Sequence, residues 1–483
     1  MSNDLLELID VAPTGIATQS SIAPWSEIDD AQLVVSDTGT EDFANHTGED
    51  DKPWWQLDLH HPYFVYEIII ENRQMPHFAL RNRFLTVECS VDGNAWELLH
   101  AGISIFGGGH NGTPMRLELG GRTTVRFLRL SLPHKEFLHL LKVKVLVTKE
   151  SKLVSEFWSQ HNFNSMIFRS LEGKISWRPF YQLVPAGVPE LDKIVGLKVE
   201  FFGRFGNKLM QITNALHIAK QLNLSYVWAI NLSLDTDEQI IQKDGITIFP
   251  QKSQPVPGYY LEGCFFNADA LNDAVFAGYS NVVRYQLAQE YVLPLSGLDR
   301  VAPHILPSID REKELVIHIR SGDVFSIPAP AHYVQPPLSY YTSIVEDMLH
   351  SGKINSVCIV MEDRINPCAN GLVLFLEEKN IPFHIQSGSL KEDLAYLRSA
   401  KHLVFGFGTF GFGVCLLAQE LDTVYVFDMG NCYNSLPNIK NLILVVPREG
   451  KYIARGSWDA SREQIQLMLD FKKEDLLMTR IEG

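Results

Sequence analysis

The chain lacks several things, and each absence narrows its function. Its six cysteines, at positions 89, 264, 358, 368, 415 and 432, are scattered through 483 residues with no close CxxC pair. That spacing excludes a zinc-ribbon or disulfide-scaffold reading and leaves reduced structural thiols. No apolar run approaches the length that spans a bilayer. The opening MSNDLLELID is acidic and has neither the basic nor the apolar region of a leader, so a cytoplasmic location is the expectation. Positive charge is in deficit, with 42 Lys and Arg against 57 Asp and Glu, a net charge of -15. Wholesale binding to nucleic acid is excluded on that balance, although a local basic pocket is not. No DxD motif or histidine cluster marks an obvious metal site. The nearest approaches are DTD at 235–237, which reads as a polar loop or helix cap, and EDR at 362–364.

What is present falls into two styles. A chain this long is too large for one hydrophobic core and points to two or three domains. Residues 1–148 read as all-β. FVYEIIIENR (64–73), FLTVECSVDGNAWELL (84–99), TTVRFLRLSL (123–132) and LLKVKVLVT (140–148) are short β-rich runs, with a turn signal at DGN (92–94). Such runs predict a sandwich. Residues 149–190 are less regular and read as an ordered connection.

From Ile194 the rhythm changes. IVGLKVEFF is an apolar strand, GRFGN a glycine loop, KLMQITNALHIAKQLN a helix by its apolar spacing, and LSYVWAI a second strand. Strand, loop, helix and strand make a βαβ unit. The pattern recurs after residue 314 through LVIHI, VCIVME, FHIQ, HLVFGF and TVYVFD, with helical stretches between them. Two α/β halves with parallel sheets are expected, 191–310 and 311–483. The tail SREQIQLMLDFKKEDLLM reads as a closing helix.

Open α/β sheets bind ligands beyond the carboxyl ends of their strands, and three loops there suit an anion. GRFGN (203–207) can bring backbone N–H groups and a helix N-terminus toward a phosphate; a tight βα packing turn is the alternative. HIRSGD (318–323) sets His318 and Arg320 on one face by period two. Arg320 has the rigid fork that matches phosphate oxygens, with Asp323 to orient it. A buried His–Asp network is the alternative. FGFGTFGFG (405–413) puts Thr409 and its neighbouring amides at a helix start, unless its glycines only allow close packing. Together the three loops point to a nucleotide or nucleotide-sugar site. With no metal motif, arginine and helix dipoles would stabilise the leaving diphosphate.

These stretches resemble motifs of the alpha-1,2-fucosyltransferase-like glycosyltransferases. GRFGNKLMQITNALHIAKQL is similar to their opening glycine–asparagine motif, and GYYLEGCFF (258–266) to their Gly-Tyr-aromatic segment. HIRSGD resembles the His-x-Arg-Arg-x-Asp motif of the wider superfamily. LKEDLAYLRSAKHLVFGFGTFGFG resembles its late motif. The resemblance implies a GT-B-like, metal-independent, inverting enzyme with GDP-fucose as donor and a glycan hydroxyl as acceptor. It implies no cofactor. By the same resemblance Arg320, Asp323 and His318 are the catalytic candidates. Gly203, Arg204, Gly206, Asn207, Ser321, Gly408, Thr409 and Phe410 are the donor-binding candidates. Ser321 stands where the motif has its second arginine, which leaves another nucleotide sugar open. The general base is open among Asp323, His332, Glu362 and Asp363.

The front domain has its own resemblance. ATQSS (17–21), NHTGEDDKPWWQLDL (45–59), IIIENR and LTVECSVDGNAWELL look like the discoidin or coagulation-factor C-domain fold shared with fucolectins. His46, Arg73 and Arg81 match the fucolectin histidine and two arginines, the last more loosely. That implies a carbohydrate-binding module, with scaffolding or homo-oligomerisation as alternatives. Trp54 and Trp55 read as core. Three functions follow: a transferase acting on a nucleotide sugar and a glycan, a glycan-binding protein with a degenerate transferase domain, and a glycoside hydrolase. The hydrolase needs paired carboxylates facing one sugar, and the phosphate-suited loops have no purpose in it.

Overall fold

The computed structural model describes residues 7–26, 31–36, 42–107, 112–160, 182–187, 193–230, 240–250, 253–263, 265–266, 279–428 and 433–481. The chain divides into two compact units, Met1–Ile194 and Val195–Gly483.

The first unit is antiparallel β. Its main sheet runs Leu8–Asp10, Lys142–Thr148, Trp54–Glu71, Met115–Ser131, Thr86–Ser90 and Trp96–His100, with Ile16–Gln19 also paired to Trp54–Glu71. Strand alternation makes the core. Val143, Val145 and Val147 are fully buried while the residues between them are not. Each such valine contributes about 1.5–3 kcal/mol of burial. Trp55 is fully buried with Leu57 and Leu59, so it is core as expected, whereas Trp54 is only partly buried. The runs at 64–73 and 123–132 belong to two strands longer than the sequence suggests. Register breaks between Asp58 and Tyr63 and between Val65 and Glu67 interrupt their alternation, which shortened the apparent strands. The expected connection begins as a helix, Lys149–Gln160. There Ser151 Oγ donates to Phe64 O at 2.9 Å and accepts from Phe64 N at 3.1 Å. Most of the remaining connection lies outside the described residues.

The second unit carries two sheets. In one, Ile194–Glu200 lies parallel to Tyr226–Ile230, which lies parallel to Ile246–Pro250. Ile241–Lys243 is antiparallel at one edge, and Gly258–Gly263 flanks Ile194–Glu200. The other sheet runs Phe383–Gln386, Ser356–Met361, Glu314–Ile319, His402–Phe405, Leu421–Phe427, Ile439–Pro447 and Leu476–Ile481. All but the last strand are parallel. Numbered along the chain, the parallel strands lie in the order 3-2-1-4-5-6. The direction of winding reverses between Glu314–Ile319 and His402–Phe405, and a crevice opens at such a reversal.

The tail corrects the reading of one closing helix. Arg462–Asp470 is helical, but Leu476–Ile481 returns as an antiparallel edge strand on Ile439–Pro447. The helix stops at Phe471, whose backbone is extended, and the apolar residues after it serve strand pairing instead.

Candidate active site

The central strand Glu314–Ile319 is buried along its length except at His318, and the chain turns polar as it leaves the sheet. Three stretches distant in sequence meet there. Residues 203–208, 318–320 with 323–324, and 405–411 line one cavity of about 580 Å³, joined by Tyr333, Glu362 and Asp393.

Two helices begin at this cavity. Phe205–Gln221 starts inside GRFGN itself, one turn earlier than its apolar spacing suggests, and Thr409–Leu417 starts behind Gly408. The residue before each helix, Arg204 and Gly408, makes no side-chain cap bond. The N–H groups of a helix's first turn and the positive end of its dipole favour an anion. Gly206 sets their spacing, because a Cβ there would lie 2.4 Å from the carbonyl carbon of Thr409 and 2.6 Å from Phe410 N. Across the same junction Thr409 Oγ1 donates to Asn207 Oδ1 at 2.7 Å. The close-packing alternative therefore holds for Gly206, at the wall of the cavity.

Charge is concentrated on the arginine side. Arg204 Nη1 donates to both Glu362 oxygens at 3.0 and 3.1 Å, and Arg204 Nη2 lies 3.4 Å from Asp323 Oδ1. Arg320 pairs with the same Asp323 oxygen, and its Nη1 lies 3.5 Å from Glu362 Oε1. Two guanidiniums thus share two carboxylates. Arg320 is the more sunken cation, with its side chain 18% exposed against 52% for Arg204. Burial, then the neighbouring Arg204 charge, pulls it below its ordinary pKa. His318 stacks on Phe410 with ring centroids 4.4 Å apart. Burial, then the Arg320 charge, pushes its imidazole down to about 3, so it is neutral near pH 7.

Of the donor-binding candidates, Gly203, Arg204, Gly206, Asn207, Gly408, Thr409 and Phe410 line the cavity. Ser321 does not, which corrects its placement at the donor. It is fully buried, donates to Asp363 and accepts from Asn366 N at 3.0 Å. Asn366 in turn donates to Arg320 O at 2.9 Å and caps the helix Pro367–Glu378. The hydroxyl is a buried tie between the strand end and that helix. Among the base candidates, Asp323 and Glu362 line the cavity. Asp363 is occupied by Ser321 and by Ile365 N, and His332 is exposed beside Gly456, outside the lining. Lys208 and Tyr333 also line the cavity and were not anticipated. Lys208 had a signal, since it follows Asn207 on the first helical turn; Tyr333 had none.

DTD at 235–237 lies outside the described residues. Among the described residues Glu314, Cys358 and His384 bring metal-ligand atom types within 4.8 Å of one another. They sit toward the opposite end of the central strand, where Arg311 and Tyr396 already hold the Glu314 carboxylate. No helix of the described residues is long and apolar enough to cross a membrane.

In the first unit the three lectin candidates gather around His139. Its imidazole is pushed down to about 3 by burial first, then by His46, Arg73 and Arg81. His46 is itself buried, with Trp25, Phe43 and Phe137 packed around its ring. Arg73 lies between the rings of Phe43 and Phe78, at 4.5 and 4.2 Å, and its Nε donates to Asp42 at 2.6 Å. Arg81 lies over Phe78 and Phe137 and approaches Glu136 at 3.7 Å. Arg81 is the most open of the three, with its side chain 32% exposed.

Residues 16–139 match the F5/8 type C domain family. Among solved structures, the chain is similar to a fucose binding module of Streptococcus pneumoniae at 21% identity, covering 28% of this chain and 96% of that one, with a TM-score of 0.24. It is also similar to a fucolectin from striped bass (Morone saxatilis) serum, at 21% identity over 38% of this chain and 57% of that one, with a TM-score of 0.25. A third is a family 32 CBM from C. perfringens in complex with galactose, at 12% identity over 29% of this chain and all of that one, with a TM-score of 0.24. No curated protein matches the chain.

Proposed function

We propose that the second unit is an inverting, metal-independent, GT-B-like glycosyltransferase. Its reaction moves a sugar, with fucose from GDP-fucose as first choice, onto a hydroxyl of an oligo- or polysaccharide. One observation carries this reading: three anion-suited loops converge on one cavity at the reversal point of a 3-2-1-4-5-6 sheet. Arg320, Arg204 and the two helix starts supply positive potential where a diphosphate leaving group would gain charge. His318 acts there as a neutral ring stacked on Phe410, since its imidazole does not hold a proton near pH 7.

In the reaction the acceptor oxygen attacks the anomeric carbon as the bond to the diphosphate oxygen breaks. The bonding electron pair leaves on the diphosphate, and the hydroxyl proton passes to Asp323. That carboxylate lines the cavity with its side chain 53% exposed, within reach of an incoming hydroxyl. The F5/8 type C domain serves as the carbohydrate-binding part, with Arg81 offering the most accessible guanidinium to sugar hydroxyls.

The test is a donor screen against GDP-fucose and other nucleotide sugars, scored by thermal shift and by released nucleotide with glycan acceptors present. Nucleotide release from GDP-fucose is the expected result; no shift and no release with any donor sinks the transferase reading. A second reading, a glycan-binding protein without catalysis, is favoured by the F5/8 type C match. Glycan-array binding through the first unit together with a blank donor screen would establish it.

A further inference from the structure

The arginines expected to hold the diphosphate are already occupied. The geometry points to Glu362 as a built-in place-holder, a carboxylate that occupies the diphosphate subsite until the nucleotide displaces it and then competes with bound product. This rests on the nucleotide-binding reading above.

Glu362 touches both cations, at 3.0 and 3.1 Å from Arg204 and 3.5 Å from Arg320. A carboxylate between two guanidiniums presents the charge and acceptor pattern of one phosphoryl group. The local sum of Arg204, Arg320, Asp323 and Glu362 is zero, so a diphosphate entering without rearrangement would meet two carboxylates at close range. Like charges a few ångströms apart in a partly enclosed site repel strongly. Something must move, and anchorage decides which. Arg320 is 18% exposed, anchored at its base by Asn366 and paired three residues along with Asp323, whereas Glu362 reaches the arginines from the end of another strand with its side chain 44% exposed, and it is the group that swings into solvent.

The backbone leaves room for the carboxylate in its present seat. Gly322 has φ of +69°, and a Cβ there would lie 2.7 Å from Glu362 Oε1. A side chain at 322 would press on the far end of Glu362 and strain its own backbone, so the seat as it stands depends on this glycine.

The test is calorimetric titration of the full chain with pyrophosphate and with GDP. Glu362→Gln keeps the shape and removes the competing charge, and is expected to bind both ligands about tenfold tighter than wild type. Gly322→Ala displaces the same carboxylate without deleting it and is expected to shift affinity in the same direction. Thermal melting without ligand checks that both variants fold. Equal or weaker binding by Glu362→Gln overturns the place-holder while leaving the nucleotide reading standing. No binding of either ligand by wild type or variant overturns both. If Glu362 were instead the proton acceptor, Glu362→Gln would lose turnover at unchanged GDP affinity, which also overturns the proposal.

Discussion

Both units gather arginines and a histidine, and they use them in opposite ways. In the first unit Arg73 is 12% exposed, sandwiched between two phenylalanines and tied to Asp42. In the second, Arg204 and Arg320 line a cavity and share carboxylates that are 44% and 53% exposed. A guanidinium enclosed by rings and its own counter-ion holds a loop in place. One paired with half-exposed carboxylates can exchange its partner. Residue type is common to both clusters; the exposure of the counter-ion differs, and on the proposed function that difference would separate a structural arginine from a binding one.

The sharpest break of that comparison is a pair of alanine substitutions. Arg320→Ala should lower turnover roughly a hundred- to a thousandfold by removing a preorganised donor from the leaving group. Its melting temperature should barely move, because the carboxylates it leaves behind reach water. Arg73→Ala should do the reverse. It strands Asp42 beside an aromatic pocket and should destabilise the first unit by about 1.5–3 kcal/mol, with turnover on a small acceptor unchanged. Turnover assays and denaturant melts on both variants check this; equal behaviour would erase the distinction. A smaller effect is expected at Gly206→Ala. The added methyl meets backbone atoms of Thr409 and Phe410 that no rotamer can clear. Overpacking of this kind costs about 1–3 kcal/mol, and prising the two helix starts apart should also weaken GDP binding. Unchanged GDP affinity would mean that the helix junction does not shape the site.

The cavity was partly legible in sequence for a physical reason. In a parallel sheet the strand tips lie on one edge, so HIRSGD and FGFGTFGFG could be expected to approach one another; GRFGN follows a strand of the other sheet, and it meets them through the close junction of Gly206 with Thr409, which that rule does not give. Glu362 and Asp363 show the limit. Both follow the strand Ser356–Met361, and nothing in their order says which faces the cavity. The hydrogen bond from Ser321 decides it, holding Asp363 inward while Glu362 reaches the arginines. Ser321 misled because its place in a motif suggested a ligand contact, whereas its burial gives it a tie. The edge strand Leu476–Ile481 was hidden because its apolar residues follow a helix and fit helical spacing as well as pairing. In the first unit His46, Arg73 and Arg81 were singled out by the fucolectin resemblance, and all three act on His139. The enclosure of His46 and Arg73 was not legible, since it depends on rings at 25, 43, 78 and 137.

Acid offers the finest comparison, because here the two units should agree. His139 and His318 belong to different units, and burial pushes both imidazoles down to about 3. Above pH 6.5 each is neutral folded or unfolded, and pH does not act through them. Between 6.5 and 3 the unfolded chain takes up a proton that the folded chain refuses, so stability falls as pH falls. The slope approaches roughly 1.4 kcal/mol per pH unit for each residue. Peptide-resolved hydrogen exchange between pH 6.5 and 4.5 separates the units, and protection should decline with acid in both. His139→Phe removes the titrating ring and should flatten the decline in the first unit alone. A decline in the first unit that is as steep in His139→Phe as in wild type would place its acid sensitivity elsewhere, and the likeness between the two histidines would have no energetic content.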